Sequence, residues 1–294
     1  MNCKHALIIL AMDHHMKTIK ANMNLFKALR TLSFALFVAH TTPIFAAAHP
    51  TMILVHGALF TSSVWLPVQT YLQNKGYNVV TVDTPGRLHD GVSAQNATLH
   101  AAVEKVCQVA NLQAEPVILV GHNQAGAIIT QAIANCGPQI QGLVYIAAVV
   151  PWPGEKPFDL LSDQDNKNFD KAAPLDHTTG LSIPDYQAPI QDLLMADAST
   201  KDAQHAIMNM VPEPIIFAYD TLDYNLMAFN QIPKFYIKTM NDVMISPSSQ
   251  DIFINRQAMN QIKTLLTSHC PFISQPTILG DILSDINNSF TKSE

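Results

Sequence analysis

The sequence is poor in charged side chains and contains no cluster of basic residues. Of its 294 residues, 14% are charged, and 17 Lys and Arg against 23 Asp and Glu give a formal net charge of −6. Proteins that bind nucleic acid through its phosphates carry a basic patch or stripe. The scattered Lys and Arg provide neither this patch nor one for an anionic membrane. We therefore expect no nucleic-acid partner.

Cysteine is also scarce, with four residues in the whole chain. Cys107, Cys136 and Cys270 follow the N-terminal leader described below, and three cysteines are too few for a disulfide framework. An oxidising compartment would still permit one pair. The chain also lacks internal repeats and low-complexity tracts, and its 48% hydrophobic content is ample for a sizeable core.

The twelve histidines show no spacing typical of a metal site. His14 and His15 lie in the leader, and His89, His100, His177 and His205 show no spacing typical of metal ligands. We expect neither a metal ion nor an organic cofactor.

The first 48 residues have the pattern of a leader that ends in a secretory signal peptide. Lys27 and Arg30 precede an apolar core over residues 32–39, and small residues follow up to Ala46 and Ala48. The core is too short to span a bilayer. We predict cleavage between Ala46 and Ala48, a secreted or periplasmic mature protein, and no stable membrane insertion afterwards. The true start, at Met1 or at a later methionine, stays open.

Residues 49–294 are predicted to form one α/β domain, because short apolar strands alternate with amphipathic helices. Strands separated by helices at this spacing form a parallel sheet with right-handed crossovers. The predicted strands of the first half are 52–55, 77–82, 117–120 and 140–148, and the predicted helices are 64–75, 94–112 and 124–135. A strand at 234–238, a helix at 247–261, a strand at 263–266 and a helix at 275–287 complete the domain.

The alternation is interrupted by residues 151–232, which are rich in Pro, Asp, Met and aromatics. Helical segments are predicted there at 189–196, 200–210 and 221–229. We interpret this segment as a helical cap over the C-terminal edge of the sheet, where open α/β sheets bind ligands. Four methionines in it would suit an apolar ligand: Met195, Met208, Met210 and Met227.

The motif most informative about function is Gly121-His122-Asn123-Gln124-Ala125-Gly126, between a buried strand and a helix. Strand, sharp turn and helix form the context of a nucleophile elbow, Gly-x-Ser-x-Gly. Two positions depart from that motif: Asn123 replaces the serine, and Gly126 lies one place late. A carboxamide has no O–H that a neighbouring base can activate, so the acyl-enzyme route is closed.

Two further candidate site residues follow later strands, so that the chain order is Asn123, Asp242, His269. Nucleophile, acid and histidine occur in this order in hydrolases with a nucleophile elbow. Asp242 can orient an imidazole, and His269 can act as general base. The N–H groups of Ala58 and Gln124 are the predicted oxyanion hole.

Five segments together resemble an α/β-hydrolase of the group that contains plant methylesterases, hydroxynitrile lyases and their bacterial esterase relatives. They are Ile53-Leu54-Val55-His56-Gly57-Ala58, Val120-Gly121-His122-Asn123-Gln124-Ala125-Gly126, Leu143-Val144-Tyr145-Ile146-Ala147-Ala148, Tyr236-Ile237-Lys238-Thr239-Met240-Asn241-Asp242 and Ser268-His269-Cys270-Pro271-Phe272. The resemblance implies the α/β-hydrolase fold and a serine esterase triad, which Asp242 and His269 match and Asn123 does not.

The same resemblance bears on two cysteine positions. Hydroxynitrile lyases carry a lysine directly after the histidine, and Cys270 stands there, which argues against cyanohydrin chemistry. The implied fold packs the helices 94–112 and 124–135 side by side. Cys107 and Cys136 lie near their C-terminal ends and should be close enough to bridge, whereas Cys270 should be unpaired.

The sequence leaves four explanations of Asn123 open. The protein is a hydrolase of weak or altered activity on a small-molecule ester, with water activated by His269, or an inactive pseudoenzyme that binds a small apolar ligand. In a third explanation, deamidation converts Asn123 into an Asp nucleophile, and in a fourth the asparagine is an engineered or strain-specific change. Ser62 and Ser63 lie off the elbow, so we do not expect them to replace the nucleophile.

Overall fold

The computed structural model describes residues 49–87 and 90–291, so the predicted signal peptide lies outside the described residues. The nine strands of the described residues are β1 Met52–Val55, β2 Val79–Val82, β3 Val117–His122, β4 Ile140–Ile146, β5 Leu175–Asp176, β6 Leu181–Ser182, β7 Glu213–Pro214, β8 Lys234–Thr239 and β9 Gln261–Leu265.

Ten α-helices accompany these strands in the part of the chain that the structure describes. They are α1 Leu66–Asn74, α2 Leu99–Asn111, α3 Ala125–Cys136, α4 Asp163–Ala172, α5 Ile190–Leu194, α6 Thr200–Met208, α7 Leu226–Gln231, α8 Pro247–Arg256, α9 Pro271–Ser274 and α10 Pro276–Ser289. Short 3₁₀ turns occupy Ser62–Trp65, Ala94–Asn96, Gly137–Gln139 and Ile215–Tyr219. None of the described helices is long and apolar enough to cross a bilayer.

The central sheet contains six strands in the order β2-β1-β3-β4-β8-β9, and every neighbouring pair is parallel. This confirms the parallel α/β sheet predicted from the alternation of strands and helices. Because all six strands run the same way, their carboxyl ends meet at one edge. The loops after β1, β3, β8 and β9 leave the sheet there.

Helices cover both faces of the sheet, as the near-continuous apolar strands require. In β1, Met52 and Leu54 pack on the face covered by α1 and α10, whereas Ile53 and Val55 pack on the face of α2 and α3. The alternation follows from the two-residue period of a strand. Both faces are buried, so the sheet forms the centre of the domain.

The segment between β4 and β8 differs from the all-helical cap predicted from the sequence. It contains helices α4 to α7 and also an antiparallel sheet in the order β5-β6-β7. Strands of two residues are too short to show an alternating pattern. The predicted helix at 221–229 begins only at Leu226, because the Asn225 side chain caps it by accepting from the N–H groups of Met227 and Ala228.

A disulfide joins Cys107 in α2 to Cys136 in α3, with a Cα–Cα distance of 5.7 Å. The two helices pack side by side, and both cysteines lie toward their C-terminal ends, which confirms the predicted bridge. Cys270 is buried and is bonded to no other described cysteine, also as predicted. The bridge lies at the edge of the sheet away from the loop that carries Asn123.

Candidate active site

The turn between β3 and α3 places Asn123 at the carboxyl edge of the sheet. Strand β3 ends at His122, α3 begins at Ala125, and Asn123 adopts a φ of 56°. Asparagine tolerates this left-handed region better than most residues, yet it remains a strained conformation. A Cβ placed on Gly57 would lie 2.7 Å from the Asn123 Cβ, so the turn at Asn123 can pack here only because residue 57 is glycine.

Asp242 follows β8 and is held rigidly by its own loop. Its Oδ1 accepts from the N–H groups of Met244 and Ile245 at 2.8 and 3.0 Å, and its Oδ2 accepts from Thr239 Oγ1 at 2.8 Å. The side chain is buried. These three hydrogen bonds hold the carboxylate in one direction.

His269 follows β9 and lies between Asp242 and Asn123. Its Nδ1 is 2.7 Å from Asp242 Oδ2, and its Nε2 is 2.9 Å from Asn123 Nδ2. An amide nitrogen only donates, so Nε2 accepts, and Nδ1 therefore carries the proton that is donated to Asp242. The structure brings the three predicted residues together in the geometry of a triad, with the amide in the nucleophile position.

His122 contacts the segment that carries the candidate base. Its Nε2–H donates to the carbonyl oxygen of His269 at 2.9 Å, and the two rings lie 4.5 Å apart between centroids. Burial, reinforced by the neighbouring His269, lowers the pKa of His122 well below its usual range. The ring is consequently neutral and does not compete for protons with His269.

Of the two predicted oxyanion donors, Gln124 directly follows Asn123, and Ala58 directly follows Gly57, which lies against Asn123. The N–H of Gln124 donates to Asn123 Oδ1 at 2.6 Å. The N–H of Ala58 has no hydrogen-bond acceptor among the described residues. The Asn123 amide thus occupies the lone pair of His269 with its nitrogen and the Gln124 donor with its oxygen.

A cavity of about 290 Å³ opens onto Asn123 and Gln124 from the cap side. Its walls are mainly aromatic and aliphatic, and the polar groups are few, as in most small-molecule sites. The lining comprises Asn123, Gln124, Phe158, Leu161, Asn166, Phe169, Asp170, Leu175, Ser182, Glu213, Pro214, Ile215, Phe217, Ala218, Tyr219, Met244 and Ile245.

The apolar character of this cavity does not come from the methionines singled out in the sequence. Met195 and Met210 are buried in the core, Met208 and Met227 are exposed, and none of the four lines the cavity. Phenylalanines of the cap provide the apolar wall instead. The period of the cap helices does not reveal which residues face the sheet, because those helices are short.

Ser62 and Ser63 do not reach the cavity. The Ser62 hydroxyl donates to Asp83 at 2.8 Å, and the Ser63 hydroxyl lies 2.8 Å from the Thr61 hydroxyl. Neither lines the cavity. The structure therefore offers no replacement serine at these two positions.

Sequence reasoning missed Arg87 and Glu213, which form a buried ion pair next to Gln124. They are 126 residues apart in sequence, Arg87 in a loop and Glu213 in the two-residue strand β7, and neither segment shows hydrophobic periodicity. No local pattern marks either residue. One weak signal was present in the sequence: Glu213 is an acidic residue between two prolines in an apolar stretch.

Comparison with known proteins agrees with this fold. The sequence profile of the alpha/beta hydrolase family matches residues 52–280. Methylesterase 17 of Arabidopsis thaliana is 25% identical over 256 residues, which cover 80% of this chain and 90% of the relative. The pyrethroid hydrolase of Sphingobium wenxiniae is 26% identical over 255 residues, with 80% and 86% covered.

Solved structures share the fold at lower sequence identity. The crystal structure of a pyrethroid hydrolase from Sphingobium faniae has a TM-score of 0.73 at 22% identity, and covers 82% of this chain and 98% of its own. A methylesterase from Arabidopsis has a TM-score of 0.69 at 22% identity, with 82% and 99% covered. The family profile spans most of the described domain, and the chain therefore belongs to the alpha/beta hydrolase family.

Proposed function

We propose that this protein hydrolyses small, largely apolar carboxylic esters slowly, with water activated by His269 in place of a serine nucleophile. The observation that carries the proposal is the position of the His269 ring. It is oriented by Asp242 on one side and contacts Asn123, which lines the cavity, on the other. A histidine held this way has the properties of a general base.

The proposed reaction starts when an ester carbonyl replaces the Asn123 oxygen at the Gln124 N–H. Rotation of the Asn123 amide frees Nε2 of His269, which takes a proton from water as the oxygen of that water attacks the ester carbon. The N–H groups of Ala58 and Gln124 stabilise the resulting oxyanion. Collapse expels the alkoxide, which receives the proton from His269, and the products are an acid and an alcohol.

This route is slow for two physical reasons. The asparagine amide competes with water for Nε2 and with the substrate for the Gln124 donor. No covalent intermediate divides the reaction into two easier steps. In serine proteases, removal of triad members leaves roughly 10³–10⁴-fold acceleration over water, and we expect a value of that order here.

The substrate class follows from the cavity and is supported by the relatives. A cavity of about 290 Å³ with aromatic walls fits a small ester with an apolar acyl or alcohol part. The relatives are named as methylesterases and a pyrethroid hydrolase. A small-molecule ester as substrate agrees both with the cavity and with the names of the relatives.

A second candidate function is the binding of a small apolar ligand without turnover. It is favoured by the double contact of the Asn123 amide, which occupies the general base and one oxyanion donor at once. A pseudoenzyme of this kind would keep the cavity and lose the chemistry. Its ligand would contact the same apolar walls.

The deciding experiment is turnover of a p-nitrophenyl ester panel by the wild-type protein and by His269→Ala, together with intact and peptide mass spectrometry. Slow, His269-dependent turnover without an acyl adduct supports the proposal. Binding without turnover supports the pseudoenzyme. A mass gain of about 1 Da at Asn123 would instead indicate conversion of the amide to an acid, the third explanation of this residue.

A further inference from the structure

A buried ion pair joins the cap to the sheet beside the candidate site. Arg87, in the loop after β2, donates from Nη2 to both carboxylate oxygens of Glu213 in β7, at 2.6 and 2.5 Å. Each residue is only 4% exposed. Arg and Glu are almost never buried this deeply unless paired. Their pairing accounts for this burial.

The carboxylate of Glu213 also contacts both segments that carry the oxyanion donors. Its Oε2 accepts from the N–H of Leu59 at 2.8 Å, and Leu59 directly follows Ala58. Its Oε1 accepts from the Gln124 side-chain nitrogen Nε2 at 2.9 Å. The Glu213 side chain thus binds the backbone of Leu59, next to the donor Ala58, and the side chain of the donor Gln124.

The loop after β1 needs such support, because Leu59 has a φ of 66°. A non-glycine residue in this region persists only when surrounding contacts hold it. The carbonyl of Leu59 accepts from the Val211 N–H at 2.9 Å, and the carbonyl of Phe60 accepts from Arg87 Nε at 3.1 Å. The ion pair and the cap segment just before β7 therefore hold this loop on both sides of its strained residue.

We propose that Glu213, neutralised by Arg87, is a positioning residue that sets the spacing of the Ala58 and Gln124 N–H groups, so that the oxyanion donors are in place only while the cap is seated. Donors stabilise an oxyanion only at about 2.7–3.1 Å from its position. Arg87 is part of the device because an unpaired carboxylate here would repel the oxyanion. The catalytic part of this proposal, stabilisation of an oxyanion, rests on the proposed function. The structural part, that the cap holds the loop after β1, does not.

The test replaces Glu213 by Gln in the Asn123→Ser background and measures kcat and KM on a p-nitrophenyl ester. The glutamine keeps the shape but presents an amide nitrogen to one of its former donors. We expect kcat to fall about 10- to 100-fold, because a displaced donor weakens the oxyanion contact. We expect KM to stay within about twofold, because the apolar walls that bind the ester are unchanged.

The matched control is Glu155→Gln in the same background. Glu155 also belongs to the segment between β4 and β8, and it pairs with Arg256 of α8 at 2.5 Å without touching either donor segment. The control therefore alters another Arg–Glu pair of the cap segment, a partly exposed one that does not contact the donor segments. We expect kcat and KM of this variant to equal those of the parent.

A second readout does not depend on turnover. Hydrogen–deuterium exchange of the otherwise wild-type protein should be faster in Glu213→Gln over peptides that cover 57–61 and 123–127, and unchanged there in Glu155→Gln. The proposal requires both results, and an unchanged kcat, a change confined to KM, or unchanged exchange overturns it. If Asn123→Ser shows no turnover, the exchange result alone decides the coupling, whereas the proposed function is decided separately by the wild-type and His269→Ala assay.

A milder variant covers the case in which Glu213→Gln does not fold. Gln124→Met keeps the side-chain volume and removes only the contact between Gln124 Nε2 and Glu213. We expect smaller changes in the same direction as in Glu213→Gln, with lower kcat, unchanged KM and faster exchange over residues 123–127. Parent-like kcat and exchange in this variant would overturn the proposal.

Discussion

The side-chain oxygen of Asn123 accepts the backbone N–H of Gln124 at 2.6 Å, while its nitrogen donates to His269 at 2.9 Å. One amide therefore bridges the general base and an oxyanion donor. A serine hydroxyl in the same place would occupy the base alone and leave the donor free. The identity of residue 123 consequently affects the nucleophile and the oxyanion hole together.

Asn123→Ser should raise kcat/KM on small esters by about 100-fold or more. The elbow would present a hydroxyl to His269, and the Gln124 N–H would become available to the substrate. Loss of the nucleophile alone costs about 10⁶ in kcat in a serine protease, so its return can recover a large share. The measurement is kcat/KM of both proteins on short-chain and aromatic methyl esters.

The control for this prediction is the double variant Asn123→Ser with His269→Ala, which should lose the gain. If the gain survives, His269 is not the base. If a folded Asn123→Ser protein gains nothing, its cavity has diverged from ester chemistry, and the binding function becomes the better explanation.

Gly126→Ala should destabilise the fold more than Ala125→Gly does, although the elbow motif places its glycine at position 125. A Cβ on residue 126 would lie 2.1 Å from the Val149 carbonyl oxygen and 2.9 Å from the Ala148 Cβ. Overpacking of this kind costs about 1–3 kcal/mol or more, whereas a glycine in a helix costs about 0.5–1 kcal/mol relative to alanine. Urea unfolding of both variants measures the difference, and equal free energies would contradict the prediction.

Removal of the Cys107–Cys136 bridge should lower the free energy of unfolding by about 3–4 kcal/mol. The bridge closes a loop with a sequence separation of 29, and closing such a loop reduces the entropy of the unfolded chain by this amount. Dithiothreitol should lower the Tm of the wild-type protein. The double variant with Cys107→Ser and Cys136→Ser should have the lower Tm from the start and show no response to the reductant.

The exported protein should begin between Ala47 and Thr51. Basic, apolar and small residues follow one another in the order of a secretory signal, and β1 begins at Met52. N-terminal sequencing of protein recovered from outside the cytoplasm tests this prediction. A mature chain that starts at Met1 or Met23 would contradict it.

The sequence by itself determined the parallel sheet, its flanking helices and the order of Asn123, Asp242 and His269. These features depend on local pattern: strands such as Ile118 to Val120 are continuously apolar because both faces are buried, and sharp turns follow them. Strands that run in parallel bring the residues after them to one edge. The triad-like arrangement could therefore be predicted without coordinates.

Tertiary structure alone decided how the Asn123 amide is used and what lies around it. The sequence shows that a hydroxyl is missing, but only the fold shows that the amide contacts both His269 and Gln124. The pairing of Arg87 with Glu213 likewise leaves no local pattern, because a hydrogen bond between residues 126 positions apart depends on where the cap packs on the sheet. Local periodicity reports which face of an element is buried, whereas the contacts across the cap and the sheet are set by packing.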